Sequence, residues 1–512
     1  MFSSVLSAAI VGMEVRTIAV EADISNGLPV FHMVGFATSQ VKEAQERVRT
    51  ALRNTGIELP PRRMIVNLAP ADIRKEGSGY DLPVAVAILA AMGKIPAREL
   101  KNIIIMGEVR LDGSVSGVDG VLPVVIHGKE TGIRRFMVPW ENRKEAGLVQ
   151  GMECICVKDL QEVLAYFRGN SRMQAQKRPP VQEKRQENGQ DCLDFADVLG
   201  QKAARRAVEI AVSGFHNLLL IGPPGMGKSM LAKRIPTILP ELSEEEQLEL
   251  TKIYSIAGLL SEEQPLITRR PFRSPHHTVS SQAMAGGGKN PRPGEITLAH
   301  RGVLFLDEMP EYSRRALEIL RQPLEDRRIC LSRVSGTYTF PANFLLVGAM
   351  NPCPCGFFPD MRRCTCTGQE IGHYLQKISR PILDRMDLCA EAERVSSGEL
   401  WKSVQKAESS AQIRERVQKV QKRQQERYKN TAYQFNGELE PKDLERYCPL
   451  SPDAKQFLEY VFDGGHLSIR GCHKVLKVAR TIADMEEKEQ IEEGHIQESY
   501  GYRMIDKKFW ET

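Results

Sequence analysis

The sequence predicts an α/β fold whose central domain is built on a parallel sheet. Three short apolar runs indicate buried strands, at residues 218–221, 303–306 and 344–349. Each run leads into polar or glycine-containing sequence, and the stretches between the runs are long enough for crossover helices. Because parallel neighbours need such crossovers, we predict one parallel sheet with helices on its faces.

Length and composition indicate a globular protein of two or three domains. The chain has 512 residues, of which 42% are hydrophobic and 26% charged, and single cores rarely grow beyond about 300 residues. The longest apolar stretch, Leu82–Met92, is too short to span a membrane, and the N-terminus lacks the basic segment of a signal peptide. We therefore expect a cytoplasmic protein with no membrane partner, whose eleven cysteines are thiols or metal ligands.

Four segments differ in pattern. Residues 1–167 mix strand-like and helical patterns, and residues 168–191 are polar, contain proline and show no periodicity, as a linker would. Residues 192–392 contain the three predicted strands. Residues 393–512 read as a small helical domain.

The first apolar run is followed by a complete G-x-x-x-x-G-K-S phosphate loop. Its residues are Gly222, Pro223, Pro224, Gly225, Met226, Gly227, Lys228 and Ser229. The glycines let backbone N–H groups surround a triphosphate, Lys228 can reach the β- and γ-phosphates, and the Ser229 hydroxyl can ligate Mg²⁺. Residues 230–234 open a helix, as this motif requires. The motif therefore predicts that ATP binds here with Mg²⁺.

The second apolar run ends in two carboxylates, Asp307 and Glu308. The first is suited to hold the metal through water, and the second to orient and polarise an attacking water. A protein that binds nucleotide without hydrolysing it would not need the second acid. The alternative is that both residues merely end a strand in solvent.

These motifs, with Gly348–Pro352 after the third run, resemble the AAA+ ATPases. By this resemblance Asn351 is the sensor asparagine that positions the lytic water, and residues 393–512 form the helical lid. Ser468–Gly471 resembles the second sensor segment, which makes Arg470 its functional residue.

Leu383–Asp387 resembles the arginine-finger segment of magnesium chelatases and replicative MCM helicases. Arg385 would then stabilise γ-phosphate charge in the neighbouring subunit, which implies a ring, by resemblance a hexamer. The alternative for Arg385 is an ordinary surface ion pair.

Residues 329–340 alternate and turn near a glycine, which predicts a β-hairpin. Chelatases and MCM proteins carry a pore hairpin at this place, and Arg333 falls near its tip. A ring of such arginines would contact the phosphates of single-stranded or branched DNA without reading sequence. The alternative is a solvated hairpin arginine. His276 and His277 precede this region without a second ligand pair, so we interpret them as polar loop residues.

The chain as a whole resembles the ComM/YifB family of magnesium-chelatase-like ATPases. The resemblance rests on residues 27–31, 62–71, 75–83, 275–278 and 351–356. It implies a DNA helicase that promotes branch migration in homologous recombination, including integration of transforming DNA. Three alternatives remain: a chelatase-like ATPase that remodels a protein partner, an ATP-dependent protease, and a nucleotide-dependent scaffold.

Residues 1–167 resemble the α+β Lon protease domain, most clearly at Gly107–Val115. Lon enzymes use a serine–lysine dyad, but Gly79 and Leu122 stand at the two dyad positions, so we predict a domain without proteolytic activity. Its basic residues either form a DNA-facing side or belong to an ordinary charged surface. They are Lys42, Arg47, Arg49, Arg53, Arg62, Arg63, Arg74 and Lys75.

Four cysteines follow the sensor in the pattern C-x-C-x₈-C-x-C. They are Cys353, Cys355, Cys364 and Cys366. This spacing permits a tetrahedral structural zinc site that would fix an irregular loop. The alternative is four reduced thiols in a loop without metal.

Overall fold

A computed structural model of the chain describes residues 1–35, 38–169, 193–288, 290–333, 336–393, 408–464 and 467–510. All but the first two positions of the predicted linker, and residues 394–407 of the predicted helical segment, lie outside these ranges. Within the described ranges, no helix combines the length and the apolar character needed to cross a membrane.

The N-terminal part of the chain forms a seven-stranded mixed sheet and one small hairpin. Strands β1 to β9 are Phe2–Val11, Glu14–Ser25, Phe31–Val34, Arg63–Ala69, Ile103–Ile105, Glu108–Val109, Val115–Ser116, Arg135–Pro139 and Glu153–Val157. The sheet order is β3-β4-β2-β1-β5-β8-β9, and β6 pairs with β7. The β1–β2 and β2–β4 pairs are antiparallel, whereas the remaining pairs of the large sheet are parallel.

The helices of this part cover the sheet. They are Ser39–Asn54, Asp81–Ala91, Val121–Thr131, Arg143–Ala146 and Leu160–Phe167, with 3₁₀ turns at Ala97–Leu100 and Trp140–Asn142. The helix Asp81–Ala91 is buried at every position except Ala90 and contacts both β1 and β2. A helix that is apolar on all sides belongs inside a core, which accounts for the apolar stretch 82–92.

Two of the basic residues predicted for a DNA-facing side are engaged within the N-terminal part, and for the buried Lys75 this corrects the prediction. Lys75 is fully buried, and its ammonium donates to the Pro70 carbonyl. Arg47 donates to both carboxylate oxygens of Asp81, at 2.8 and 3.0 Å. The chain folds Lys75 against its own backbone, which no charge pattern reveals. Among the members whose side chains the structure describes, those that are exposed are Arg49, Arg53, Arg62 and Arg63, and the side chain of Lys42 lies outside the description.

The central part contains the predicted parallel sheet. Strands β10 to β18 are Leu218–Ile221, Phe272–Arg273, Gly286–Gly287, Arg292–Pro293, Val303–Leu306, Arg328–Arg333, Gly336–Pro341, Leu345–Met350 and Leu388–Glu391. The sheet order is β11-β14-β17-β10-β18 with every pair parallel. Two of the three predicted strands have the predicted bounds, and the third runs one residue later because Met350 still pairs with Ile221.

Helices cover both faces of this sheet and continue to the C-terminus. In the central part they are Lys202–Gly214, Lys228–Ile238, Glu244–Ala257, Ser281–Ala285, Glu295–Leu298, Arg314–Glu318, Arg321–Asp326, Gly368–Leu375 and Arg380–Leu383, with 3₁₀ turns at Phe195–Asp197 and Met309–Glu311. The C-terminal helices are Ser410–Arg427, Leu444–Tyr447, Pro452–Asp463, Ile469–Met485 and Glu493–Trp510, with 3₁₀ turns at Asn436–Glu438 and Pro441–Asp443.

The predicted hairpin at 329–340 is formed by β15 and β16. Their register pairs Arg328 with Pro341 at the base and Arg333 with Gly336 beside the turn. Arg333 is exposed and is the last paired residue of its strand. The hairpin also contacts the turn between β1 and β2, where a Cβ on Gly12 would lie 3.0 Å from the Tyr338 ring.

The N-terminal part packs on the helix Glu244–Ala257 of the central part. The buried Glu145 carboxylate accepts hydrogen bonds from the Ser255 hydroxyl, from the Leu122 N–H at 2.9 Å and from the Asn142 amide at 3.0 Å. Burial raises the pKa of Glu145 despite these donors. Because donors from both parts of the chain bind the buried Glu145 carboxylate, it holds the N-terminal part against the central part.

Candidate nucleotide-binding site

The phosphate loop leaves the sheet at the end of β10 and runs directly into the helix Lys228–Ile238. Gly227 has φ of +80°, a left-handed conformation that favours glycine. At Gly222 a Cβ would lie only 2.5 Å from the Ala392 carbonyl oxygen. Both glycines are therefore required by the geometry, and the loop presents its backbone at the N-terminus of a helix, where anions bind.

Lys228 is buried with 8% of its surface exposed. Its ammonium donates to the carbonyl oxygens of Gly222 and Pro223 at 2.5 and 2.9 Å, and to Asn351 Oδ1 at 3.0 Å. Burial lowers the pKa of Lys228 to about 8, although Asp307 and Glu308 oppose the shift. Its three hydrogen-bond acceptors are neutral, so a polyphosphate would supply the charge that a buried ammonium requires.

The Ser229 hydroxyl donates to the Asp307 carboxylate at 2.7 Å. A hydroxyl and a carboxylate in contact offer the hard oxygen ligands that Mg²⁺ prefers when it also binds phosphates. The residues present therefore fit the predicted cofactor.

Glu308 follows in a left-handed conformation with φ of +49°, and its N–H donates to Asp307 Oδ1 at 3.0 Å. Such strain in a residue other than glycine costs on the order of 1–3 kcal/mol and is common at functional sites. The Glu308 side chain remains 62% exposed.

An open cleft of about 870 Å³ lies beside these residues. Glu308 and Asn351 line it, together with Glu311, Tyr374 and Lys377. The sheet thus brings together the phosphate loop, Asp307, Glu308 and Asn351, as the sequence predicts, because their strands are neighbours in the order β14-β17-β10.

The three predicted arginines lie elsewhere. Arg385 forms an ion pair with Glu325 at 2.6 Å and donates to the carbonyls of Arg321 and Pro381. Arg470 is exposed in the first turn of the helix Ile469–Met485. Among the described residues, Arg333, Arg385 and Arg470 make no side-chain hydrogen bond with Lys228 or Ser229. Their functional roles stay predictions.

Sequence reasoning missed the position of His277. Its Nδ1 lies 4.0 Å from the Glu308 carboxylate, and its ring packs on His276 at 4.1 Å between centroids and against the edge of Tyr312 at 6.5 Å. The Tyr312 hydroxyl donates to the Pro275 carbonyl at 2.5 Å. The sequence signal at this position is the segment 275–278, whose two histidines the sequence pattern marks only as polar loop residues.

The four cysteines after Asn351 converge. All their Sγ atoms lie within 4.8 Å of one another, and within the described residues they are the one group of this kind that could hold a metal ion. All four are free thiols in the structure. The predicted clustering is therefore confirmed, and the identity of a metal remains a prediction.

The two dyad positions lie in the N-terminal part. Gly79 lines a cavity of about 340 Å³ that the central part closes with Asn290, Pro291 and Arg292. Leu122 is fully buried. The neighbouring Ser78 hydroxyl donates to the Glu108 carboxylate rather than to a lysine.

Three family models match consecutive parts of the chain. The model described as subunit ChlI of Mg-chelatase matches residues 20–142, and magnesium chelatase, subunit ChlI, matches residues 194–400. The model of the ChlI C-terminal region matches residues 407–503.

The chain is 43% identical to an uncharacterized protein YifB of Salmonella typhimurium, covering 98% of this chain and 96% of that protein. It is 41% identical to the competence protein ComM of Haemophilus influenzae, covering 98% and 97%. Lon protease 2 of Bacillus subtilis is 33% identical over 25% of this chain and 22% of the protease. The full-length matches and the geometry of the phosphate loop agree, and the chain belongs to the ComM/YifB family of magnesium-chelatase-like AAA+ proteins.

Proposed function

We propose that this protein hydrolyses ATP in a ring of identical subunits and uses the energy to move on DNA, promoting branch migration in recombination or natural transformation. The observation that carries hydrolysis is the convergence of Glu308 and Asn351 beside the Ser229–Asp307 pair. The DNA substrate is supported by the similarity to a competence protein over nearly the whole chain.

The residues of the site have distinct tasks in this proposal. Ser229 and Asp307 hold Mg²⁺, which when bound neutralises phosphate charge. Lys228 leaves its carbonyl partners and donates to the β- and γ-phosphates. Glu308 accepts a proton from the attacking water and orients it, while Asn351 donates to the same water.

A neighbouring subunit would complete the site. The cleft beside Glu308 is open. Arg385 of the same chain forms an ion pair with Glu325 and, within the described ranges, makes no hydrogen bond with the side chain of Lys228 or Ser229. We therefore propose that Arg385 acts on the neighbour's γ-phosphate and that Arg470 contributes from the lid.

A mixing experiment tests this arrangement. Arg385→Ala subunits keep an intact Glu308, and Glu308→Gln subunits keep an intact Arg385. Each variant alone should lose most ATP hydrolysis, about 10³-fold for the arginine, whereas mixed rings should regain activity because complete sites form at some interfaces. Absence of any recovery, in rings shown by mass to be mixed, would contradict action between subunits.

The effect of DNA on the rate of ATP hydrolysis distinguishes a DNA substrate from a protein substrate. ATP hydrolysis is measured without DNA, with single-stranded DNA and with forked DNA, and Glu308→Gln serves as the blank. We expect DNA to increase turnover in the wild type only. Turnover that is indifferent to DNA would instead support the second candidate, an ATPase that remodels a protein partner, which the magnesium chelatase family models favour.

We infer that the N-terminal part does not cleave proteins. Gly79 offers no nucleophile and Leu122 no base, and both dyad functions are necessary for a serine–lysine mechanism. Casein incubated with the protein and ATP should stay intact, and its degradation would revive the protease alternative.

A further inference from the structure

The loop between β17 and the helix Gly368–Leu375 carries the four clustered cysteines. The Sγ atom of Cys355 lies 3.4 Å from that of Cys353 and 3.5 Å from that of Cys364, and the Cys353–Cys364 separation is 3.8 Å. Four thiolates around one zinc ion, with Zn–S bonds near 2.3 Å, have Sγ–Sγ edges of about 3.8 Å. The thiols are therefore arranged for a single tetrahedral ion.

Backbone N–H groups of the same loop point at these sulfurs. Gly356 and Phe358 donate to Cys353 Sγ at 3.2 and 3.4 Å. Cys355 donates its N–H to Cys366 Sγ at 3.4 Å. Such donors stabilise negatively charged sulfur, the form in which cysteine binds metals.

One side of the loop contacts the phosphate loop. Gly356 has φ of +85°, and a Cβ there would lie 2.5 Å from Pro224 Cδ. Two residues before the first cysteine, Asn351 accepts the hydrogen bond from Lys228. The cysteine loop thus touches the nucleotide site at two points.

The other side of the loop contacts the last helix of the chain. The rings of Phe358 and Phe509 meet edge to face, with 6.1 Å between centroids. Phe509 is 4% exposed, and the neighbouring Trp510 indole donates to the Leu375 carbonyl at 3.2 Å. One short loop therefore bridges the phosphate loop and the C-terminal helix Glu493–Trp510.

We propose that the four thiolates bind one zinc ion, and that this zinc-fixed loop couples nucleotide occupancy of the phosphate loop to the C-terminal helix. The coupling rests on the proposed binding of ATP, whereas the metal site does not. Without the ion, the loop loses its rigid shape. Gly356 and Phe358 then no longer keep Pro224 and Phe509 at fixed positions relative to each other.

The metal is tested first, on the full chain purified without added metal. Elemental analysis should give about one zinc per chain, and Cys364→Ser should lose it. Cys330→Ser is the matched control because Cys330 lies outside the cluster, on the hairpin. Zinc-free wild-type protein, or iron in place of zinc, would overturn the proposed site.

Coupling is tested by a variant that keeps all four thiols. Gly356→Ala adds a methyl group against Pro224 in a left-handed conformation, and in protein verified to hold zinc we expect about tenfold weaker binding of a fluorescent ATP analogue. Gly368→Ala is the control, because a Cβ there meets nothing within 4 Å. Wild-type affinity in Gly356→Ala would overturn the contact with the phosphate loop.

Hydrogen exchange reports the far end of the bridge. ATP should slow exchange in residues 500–510 of the wild type, and Cys364→Ser should lose this protection even at saturating nucleotide. Protection that persists without zinc would overturn the coupling. If the wild type bound no nucleotide at all, the proposed function would fail while the zinc content still decided the metal site.

Discussion

The depressed pKa of Lys228 makes nucleotide affinity depend on pH in a calculable way. Burial lowers this pKa to about 8 in the free protein, and contact with phosphate must raise it because the anion favours the ammonium form. The bound state then holds more protons than the free state at alkaline pH. The affinity for nucleotide is therefore highest well below pH 8 and falls as the pH rises through 8.

The size of the effect follows from the protonated fraction of free Lys228. With a pKa of about 8, this fraction is roughly 0.9 at pH 7 and roughly 0.09 at pH 9. The dissociation constant should thus increase about tenfold over this range, or about 1.4 kcal/mol. ATP itself changes little, since phosphate groups of this kind titrate near pH 6.

A fluorescent ATP analogue titrated into Glu308→Gln protein measures the affinity without hydrolysis. Lys228→Arg is the control, because a guanidinium stays charged throughout this range; it should bind more weakly but without the pH dependence. Calorimetry in two buffers of different ionisation enthalpy should show about 0.9 protons taken up per nucleotide at pH 9. A constant affinity from pH 7 to 9, or the same slope in Lys228→Arg, would refute the assignment.

Three further predictions concern other parts of the molecule. Ser229→Ala should raise the Mg²⁺ concentration needed for half-maximal hydrolysis about tenfold or more, since it removes one ligand; an unchanged requirement would argue against this ligand. Arg333→Ala should weaken DNA binding and lower its salt dependence, whereas Arg328→Ala at the base of the same hairpin should not; equal effects in filter binding would refute a specific role. Burial lowers the pKa of His216 to about 4 in the folded state, whereas its pKa in the unfolded chain is about 6.5. Between these two pH values only the unfolded chain binds the proton. Stability should therefore fall by about 2 kcal/mol from pH 7.5 to 5, and His216→Gln should reduce this fall in denaturation midpoints.

The central sheet and most of the nucleotide site were predictable because their signals are local. A phosphate loop, a strand ending in two acids and a strand ending in asparagine each carry their chemistry within a few residues. Parallel topology then brings the carboxyl ends of these strands together at one edge, since neighbouring parallel strands end at the same side. The hairpin at 328–341 was predictable for the same reason, as its alternation and turn are adjacent in sequence.

Two side-chain environments were decided only by the folded structure and not by the sequence pattern. Lys75 looks like a surface charge in sequence, yet the fold directs it at the Pro70 carbonyl inside the N-terminal part. His277 looks like a loop residue, yet it faces Glu308 across the site.

The sequence by itself determined which chemical groups this protein carries, namely a phosphate-loop motif, an acid pair, an asparagine after the third strand and four cysteines at fixed spacing. Only the tertiary structure decided what those groups touch. The contact of Gly356 with Pro224, and of Phe358 with Phe509, joins segments more than a hundred residues apart. Side-chain periodicity reports which face of an element is buried, but it carries no information about which distant segment covers that face.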